Sequence, residues 1–158
     1  PPPRNSINLA SDTLFDGGYG AYVRQKLEEN HVPPCTLSFE IPLFEAAENV
    51  AQVEQLVSIL KPLGCTFAFS GFDGSALSFD LLTGFQADFV KIGIGMVGKC
   101  DHHAMTRAAL QALQRRCQDL GMRTIAEHVE REATLVAIRE IGVDYAQGFH
   151  IGVPQPLA

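Results

Sequence analysis

Asn8, Glu40, Lys91, Glu127 and Gln147 each close or directly follow a short apolar run rich in β-forming residues. A carboxylate in such a place is costly unless it is paired or holds a metal. Two carboxylates, two amides and a lysine on five separate runs could hold a divalent cation through oxygen ligands beside a phosphate. The competing structural reading is an ion pair of Glu40 or Glu127 with Lys91, and both readings stay open at this level. The lysine is followed by Gly93, Gly95 and Gly98 in the spacing G-x-G-x-x-G. A dinucleotide turn would need a helix opening at the third glycine and an acidic residue closing the next strand at a shorter distance than Glu127. The glycines are therefore read as a flexible loop after a strand.

The elements that must position these residues can be read from periodicity. Strands are expected at "SINLA", "TLSFEI", "CTFAFSGF", "DFVKI", "RTIAEHV" and "YAQGFHI". Between them lie helical spacings: Val50, Val53, Leu56, Val57 and Leu60; Met105, Ala109, Ala112 and Leu113; Leu135 and Ile138. Gly64, Gly121 and Gly142 stand where such helices should stop. Alternating strand and helix imply an α/β fold with a parallel sheet, either doubly wound or part of a barrel. In either case the C-terminal strand ends converge on one face, where sites are built. By strand alternation Gln147 and Phe149 share that face, and His150 points away from it.

The chain has 158 residues, enough for one hydrophobic core, and is read as one domain over 1–158. With 46% hydrophobic and 19% charged residues it belongs to the globular class. A formal charge of -6 and the lack of a Lys/Arg stripe exclude a nucleic-acid partner. Cys35, Cys65, Cys100 and Cys117 lack C-x-x-C spacing, so neither a zinc ribbon nor a dense disulfide framework is expected, and reduced thiols in a cytoplasmic protein fit best. No apolar run approaches membrane-spanning length, and "PPPRNS" resembles the tail of a linker more than a signal peptide. His102 and His103 precede a helical segment, where histidines cap or meet solvent.

The blocks "SINLASDTLF", "LSFEIP", "LGCTFAFSGFDGSALSF", "ADFVKIG", "TIAEHVEREATLVAIREIGVDYAQGF" and "VPQPL" resemble, in order, successive blocks of the EAL-domain cyclic-di-GMP phosphodiesterases. The strongest are "AEHVERE", similar to the family's A-E-G-V-E-T-E, and "DYAQGF", similar to D-Y-x-Q-G-Y. The resemblance implies a TIM-like (β/α) barrel whose C-terminal face binds two Mg2+ or Mn2+ ions and cyclic di-GMP. On the same basis, Asn8 matches the metal-binding asparagine of N-L-S and Glu40 the first glutamate of E-x-T-E. Lys91 matches the lysine of D-x-x-K-I-D, Glu127 and Glu130 the glutamates of A-E-G-V-E, and Gln147 the glutamine of Q-G-Y.

Departures from the family pattern each remove a negative charge. The aspartates of D-D-F-G are Ser70 and Gly71, the aspartate of K-I-D is Gly93, and the second glutamate of E-x-T-E is Leu43. The two opening strands and the E-A-L signature are absent, which leaves six strands of eight and suggests a degenerate, N-terminally truncated member. His128 replaces the glycine of A-E-G-V-E, and Val153 a commonly basic position before Pro154 and Pro156. Asp73 and Glu45 are read as ordinary solvated residues rather than displaced ligands.

The function expected is a noncatalytic regulator of cyclic-di-GMP signalling that binds the dinucleotide without hydrolysing it, contacts a partner protein, or both. Alternatives are a pure protein-interaction module and an active metal-dependent phosphodiesterase. Ligand contacts are expected from Asn8, Glu40, Glu127, Gln147, Phe149 and Pro154, with Lys91, Glu127 and Gln147 as catalytic vestiges. No cofactor is required on this reading, and at most one weakly held Mg2+ or Mn2+ sits on Asn8, Glu40 and Glu127. Six strands cannot close an eight-stranded barrel, so the edges bearing Asn8 and Gln147 should favour self-association or a covering partner.

Overall fold

A computed structural model describes residues 5–85 and 87–155, apart from the side chains of Ser11 and Phe15. Pro156 therefore lies outside the described residues. Six strands follow one another in chain order in a single sheet: β1 (Asn5–Asn8), β2 (Leu37–Pro42), β3 (Thr66–Phe72), β4 (Phe89–Ile92), β5 (Arg123–Ala126) and β6 (Tyr145–Ala146). The pairings of β1 with β2, β4 with β5 and β5 with β6 are parallel. The chain divides into two compact units between Phe69 and Ser70, within β3. No helix among the described residues is long and apolar enough to cross a membrane.

In the first unit, β1 leads through α1 (Ser11–Phe15) and α2 (Tyr19–Glu29) to β2, and α3 (Leu43–Glu48) and α4 (Val50–Leu60) lead on to β3. Val53, Leu56 and Leu60 form the buried stripe of α4, at the spacing that one helix face requires. Val50 at its first turn is 42% exposed and does not belong to that stripe. Helix α2 escaped the periodicity reading because its buried face is Gly20, Val23 and Leu27, with a glycine as packing residue. A Cβ on Gly20 would lie 3.0 Å from Ile59 Cδ1, so the absence of a side chain is what lets α2 lie against α4. The Phe39 and Phe67 rings pack with centroids 5.7 Å apart, and Tyr19 meets Phe39 edge-on.

In the second unit, α5 (Ala76–Gly84) precedes β4, α6 (Ile94–Val97) and α7 (Ala104–Asp119) precede β5, and α8 (Glu132–Ile141) precedes β6. The α7 face differs from the expected one: Leu110, Leu113, Gln114 and Cys117 are buried while Met105 is 75% exposed. Gln114 is inside because its amide group serves the buried Thr124. Thr124 Oγ1 donates to Gln114 Oε1 at 2.5 Å, and Gln114 Nε2 donates to Asp144 Oδ2 at 3.2 Å. Thr124 N also donates to Asp144 Oδ2 at 2.9 Å, closing a network that joins α7, β5 and the entry to β6. The glycine-rich stretch is not a loop: α6 forms one helical turn directly after Gly93. Gly142 ends α8 in the left-handed conformation at φ 89°, the stop its position implied.

Two strands stop several residues short of the expected runs. β5 ends at Ala126 because His128 takes a left-handed φ of 56°, which turns the chain out of the sheet. β6 ends at Ala146 because residues 148–151 form a turn, with Ile151 N donating to Gly148 O at 2.9 Å. Strand alternation therefore does not set the directions of Phe149 and His150.

Candidate functional site

The first unit supplies Asn8 and Glu40. They are register partners in the parallel β1/β2 pair, so they share a face of the sheet. Ser6, two residues before Asn8 and on the same face, donates from Oγ to Glu40 Oε2 at 3.3 Å. Asn8 is exposed and Glu40 half-buried. The backbone continues the ladder beyond the strand, with Leu9 N donating to Glu40 O at 2.8 Å. Ser6 was not among the expected residues, although the period of two placed it beside Asn8. Leu43, where the family pattern has a second glutamate, is buried at the start of α3. Glu45 is not the ordinary solvated residue expected. It is half-buried, and its Oε2 is shut from water without a hydrogen-bond partner among the described residues.

The second unit supplies Lys91, Glu127 and Gln147. Lys91 lies opposite Ile125 in the β4/β5 register, and Glu127 two residues on stands on the same face. Ladder bonds carry the alignment past the strand ends: Glu127 N donates to Ile92 O at 3.1 Å and Gln147 N to Ala126 O at 2.9 Å. Lys91 Nζ reaches Glu127 Oε1 at 2.8 Å, with side chains only 10% and 14% exposed. Gln147 Nε2 donates to the same oxygen at 3.1 Å. Three of the expected residues thus converge, and the ion-pair reading describes Glu127.

Around this cluster, Gly71 takes φ 79°, a conformation that disfavours the aspartate of the family pattern. Asp73 turns back on its own loop, accepting from Ser78 Oγ at 2.7 Å and from Ser75 N at 2.9 Å. These bonds hold its carboxyl below the usual range. Phe149, expected as a ligand contact beside Gln147, sits in the turn and is 66% exposed, and Pro154 is exposed in the following segment. His150 accompanies Glu132 at 2.7 Å. His103 Nδ1 accepts from Thr106 N and caps α7, as its position implied. Gly148 was missed: a Cβ there would lie 2.3 Å from Val129 N. This contact holds the loop after Glu127 against the loop after Gln147, and its only sequence signal is the glycine itself.

A two-metal centre needs several carboxylates free to bridge the ions. In the second unit Ser70 and Gly71 offer none, and Glu127 Oε1 already accepts from an ammonium and an amide. Among the described residues, no group of three or more His, Cys, Asp or Glu side chains could hold a metal ion. The residues present do not fit the pair of metals that the family pattern implies.

The family model for the EAL domain matches residues 1–154. The chain is 32% identical over 153 residues to the cyclic di-GMP phosphodiesterase PdeB of Shewanella oneidensis, covering 97% of this chain and 18% of that protein. Among solved structures, the Xanthomonas citri FimX EAL domain in complex with cyclic di-GMP matches with a TM-score of 0.92 at 22% identity. That match covers 98% of this chain and 61% of the other. The FimX EAL domain from Pseudomonas aeruginosa bound to cyclic di-GMP matches with a TM-score of 0.89 at 26% identity, over 96% and 62%. The fold is therefore the TIM-barrel-like fold of these domains, and the chain spans only part of the length of its curated relatives, from 18% of PdeB and 21% of the PdeF protein of Escherichia coli to 40% of RocR of Pseudomonas aeruginosa.

Proposed function

Because the chain belongs to the EAL domain family, we propose that it acts in cyclic-di-GMP signalling as a degenerate, noncatalytic module that binds the dinucleotide without hydrolysing it. The observation that carries this reading is the Lys91–Glu127 ion pair beside Ser70 and Gly71. An ammonium holds the carboxylate that a metal would need, and the neighbouring positions bring no replacement. The amides of Asn8 and Gln147, the carboxylates of Glu40 and Glu127, and Phe149 and Pro154 are the groups proposed to meet the ligand. No metal is required by this reading. That two structural relatives carry cyclic di-GMP supports the choice of ligand.

A protein-interaction role is the second reading, favoured by Phe149 and Val153, which are 66% and 68% exposed close together in the sequence. Calorimetric titration of the 158-residue chain with cyclic di-GMP, with Mg2+ and again with chelator, separates the two. Saturable heat in both conditions supports the first reading. Its absence in both leaves the interaction role.

A further inference from the structure

Cys35 and Cys65 both belong to the first unit, far along the strands from Asn8 and Glu40. Cys35 lies in a single 3-10 turn, Pro34–Thr36, immediately before β2, and Cys65 immediately precedes β3. Thr66 Oγ1 donates to Leu37 O at 3.3 Å, which sets the beginnings of the two strands side by side. Two residues before Thr66, a Cβ built on Gly64 would lie 4.0 Å from Cys35 N. Segment 64–66 thus runs along segment 35–37. Cys65 is then one residue out of step with Cys35, and a strand spacing of about 4.8 Å with a rise of about 3.3 Å gives a diagonal of about 5.8 Å, inside the roughly 4.4–6.8 Å Cα separation that a disulfide spans. The φ of 107° at Gly64 is the bend that delivers Cys65 into this position after the helix-ending turn.

The two thiols are unlike each other. Cys35 is exposed, whereas Cys65 is 2% exposed. Burial pushes the Cys65 thiol up, and the charge of a Cys35 thiolate pushes it further, which also marks the pair as electrostatic neighbours. Cys100 and Cys117 are fully buried, the charges acting on them come from Asp101, Arg107 and Arg131 and from Asp144 respectively, and burial followed by the charge of Asp144 pushes Cys117 up to about 12. One accessible thiol beside one sheltered thiol is the arrangement in which the first is oxidised and the second resolves the product.

We propose that Cys35 and Cys65 form a peroxide-sensitive dithiol switch that closes to an intramolecular disulfide. The Cys35 thiolate attacks hydrogen peroxide, its S–O bond forming as the O–O bond breaks, and hydroxide leaves with a Cys35 sulfenic acid remaining. The Cys65 thiol gives up its proton and attacks the sulfenic sulfur. The S–S bond forms, and the expelled hydroxide takes up that proton as water. Two thiols lose two electrons and two protons, and one peroxide becomes two waters. The closed form pins the entry of β2 to that of β3 on the strand that carries Glu40, and a thiol reductant reopens it.

The test is treatment of the full chain with a modest excess of hydrogen peroxide, followed by thiol counting in denaturant and non-reducing peptide mapping. Two of the four thiols should disappear, return with dithiothreitol, and map to a Cys35–Cys65 peptide pair. The oxidised chain should also melt several degrees higher, because the bridge restricts the unfolded state. In Cys35→Ser, a substitution at an exposed position, Cys65 should remain a thiol at the same peroxide dose. In Cys65→Ser, a sulfenic acid should persist on Cys35 and react with dimedone. The idea is overturned if Cys35 ends as sulfinic acid or bridges two chains while Cys65 stays a thiol. It is equally overturned if Cys35→Ser loses two thiols as the parent does.

Discussion

Lys91 Nζ lies 2.8 Å from Glu127 Oε1, and the two side chains are only 10% and 14% exposed. Neither charge is well hydrated, and each compensates the other across this short contact. Removing one partner takes a close opposite charge from the second in a poorly hydrated place, and removing both avoids that cost. Glu127→Leu should therefore cost about 3 kcal/mol of stability, and adding Lys91→Met to it should recover most of that loss. Urea unfolding of the four proteins in a double-mutant cycle reads the coupling. Single effects that add to within about 0.5 kcal/mol would show that the pair is not an energetic unit.

Catalysis should be absent for the same reason. Hydrolysis of cyclic di-GMP by this chain is expected to be undetectable, or roughly a thousandfold below an active relative, since a lost metal site removes several kcal/mol of transition-state stabilisation. Product analysis with added Mn2+ checks this. Turnover that depends on Mn2+ and vanishes in Glu127→Gln would overturn the noncatalytic reading.

Ligand affinity should be nearly indifferent to chelators. Without bridging carboxylates at positions 70 and 71, a cation has little to add to the proposed binding. The dissociation constant for cyclic di-GMP, measured by calorimetry, should shift less than tenfold between Mg2+ and chelator. A larger loss would expose more than about 1.4 kcal/mol of metal-dependent affinity.

Gly148 should tolerate no side chain. At φ 151° a Cβ would sit 2.3 Å from Val129 N and 2.4 Å from Val129 O, all backbone atoms that cannot swing aside. Gly148→Ala is expected to destabilise by at least about 3 kcal/mol, near the upper end for overpacking. Thermal melting decides it, and an unchanged midpoint would mean that the two loops do not meet.

Acid stability should depend on Asp144. Burial raises its pKa, but bonds from Thr124 N and Gln114, with Arg123 nearby, more than offset this and leave it lowered. A depressed folded-state pKa contributes stability that is complete above the unfolded value, about 3.9, and is lost as pH falls through the folded value. Asp144→Asn should therefore lower stability at neutral pH and flatten its decline below about pH 4. An equally steep decline in the variant would assign that acid limb to other carboxylates, such as Asp101 beside Arg131.

The strands were readable because aromatic and β-branched residues cluster in short runs, and the order of polar strand ends pointed to the Lys91, Glu127 and Gln147 cluster. What escaped was set by single backbone conformations. His128 at φ 56° and Gly148 at φ 151° end strands that the apolar pattern would continue. Helix α5 carries apolar residues on all sides and offers no stripe, so its start is marked chiefly by the Ser75 side chain accepting from Ser78 N at 3.2 Å. The face of α7 was misplaced because a polar residue, Gln114, is buried there for its hydrogen bonds rather than for its apolarity. The partner of Glu127 was readable only as an alternative, since spacing brings Lys91 and a metal to the same place.

The parallel pairings of β1 with β2, β4 with β5 and β5 with β6 join strands that are consecutive in the chain. Each then closes only the loop of one strand-helix-strand step, and the entropic cost of closure hardly grows from one step to the next. Such pairings, Asn8 with Glu40 and Lys91 with Ile125, form more slowly than a hairpin, but each spans a single step. They also suit synthesis on the ribosome, where an early strand can find its neighbour before the later helices have emerged from the exit tunnel. The chain can thus assemble by accretion, each new strand using the exposed edge left by the one before it as its template.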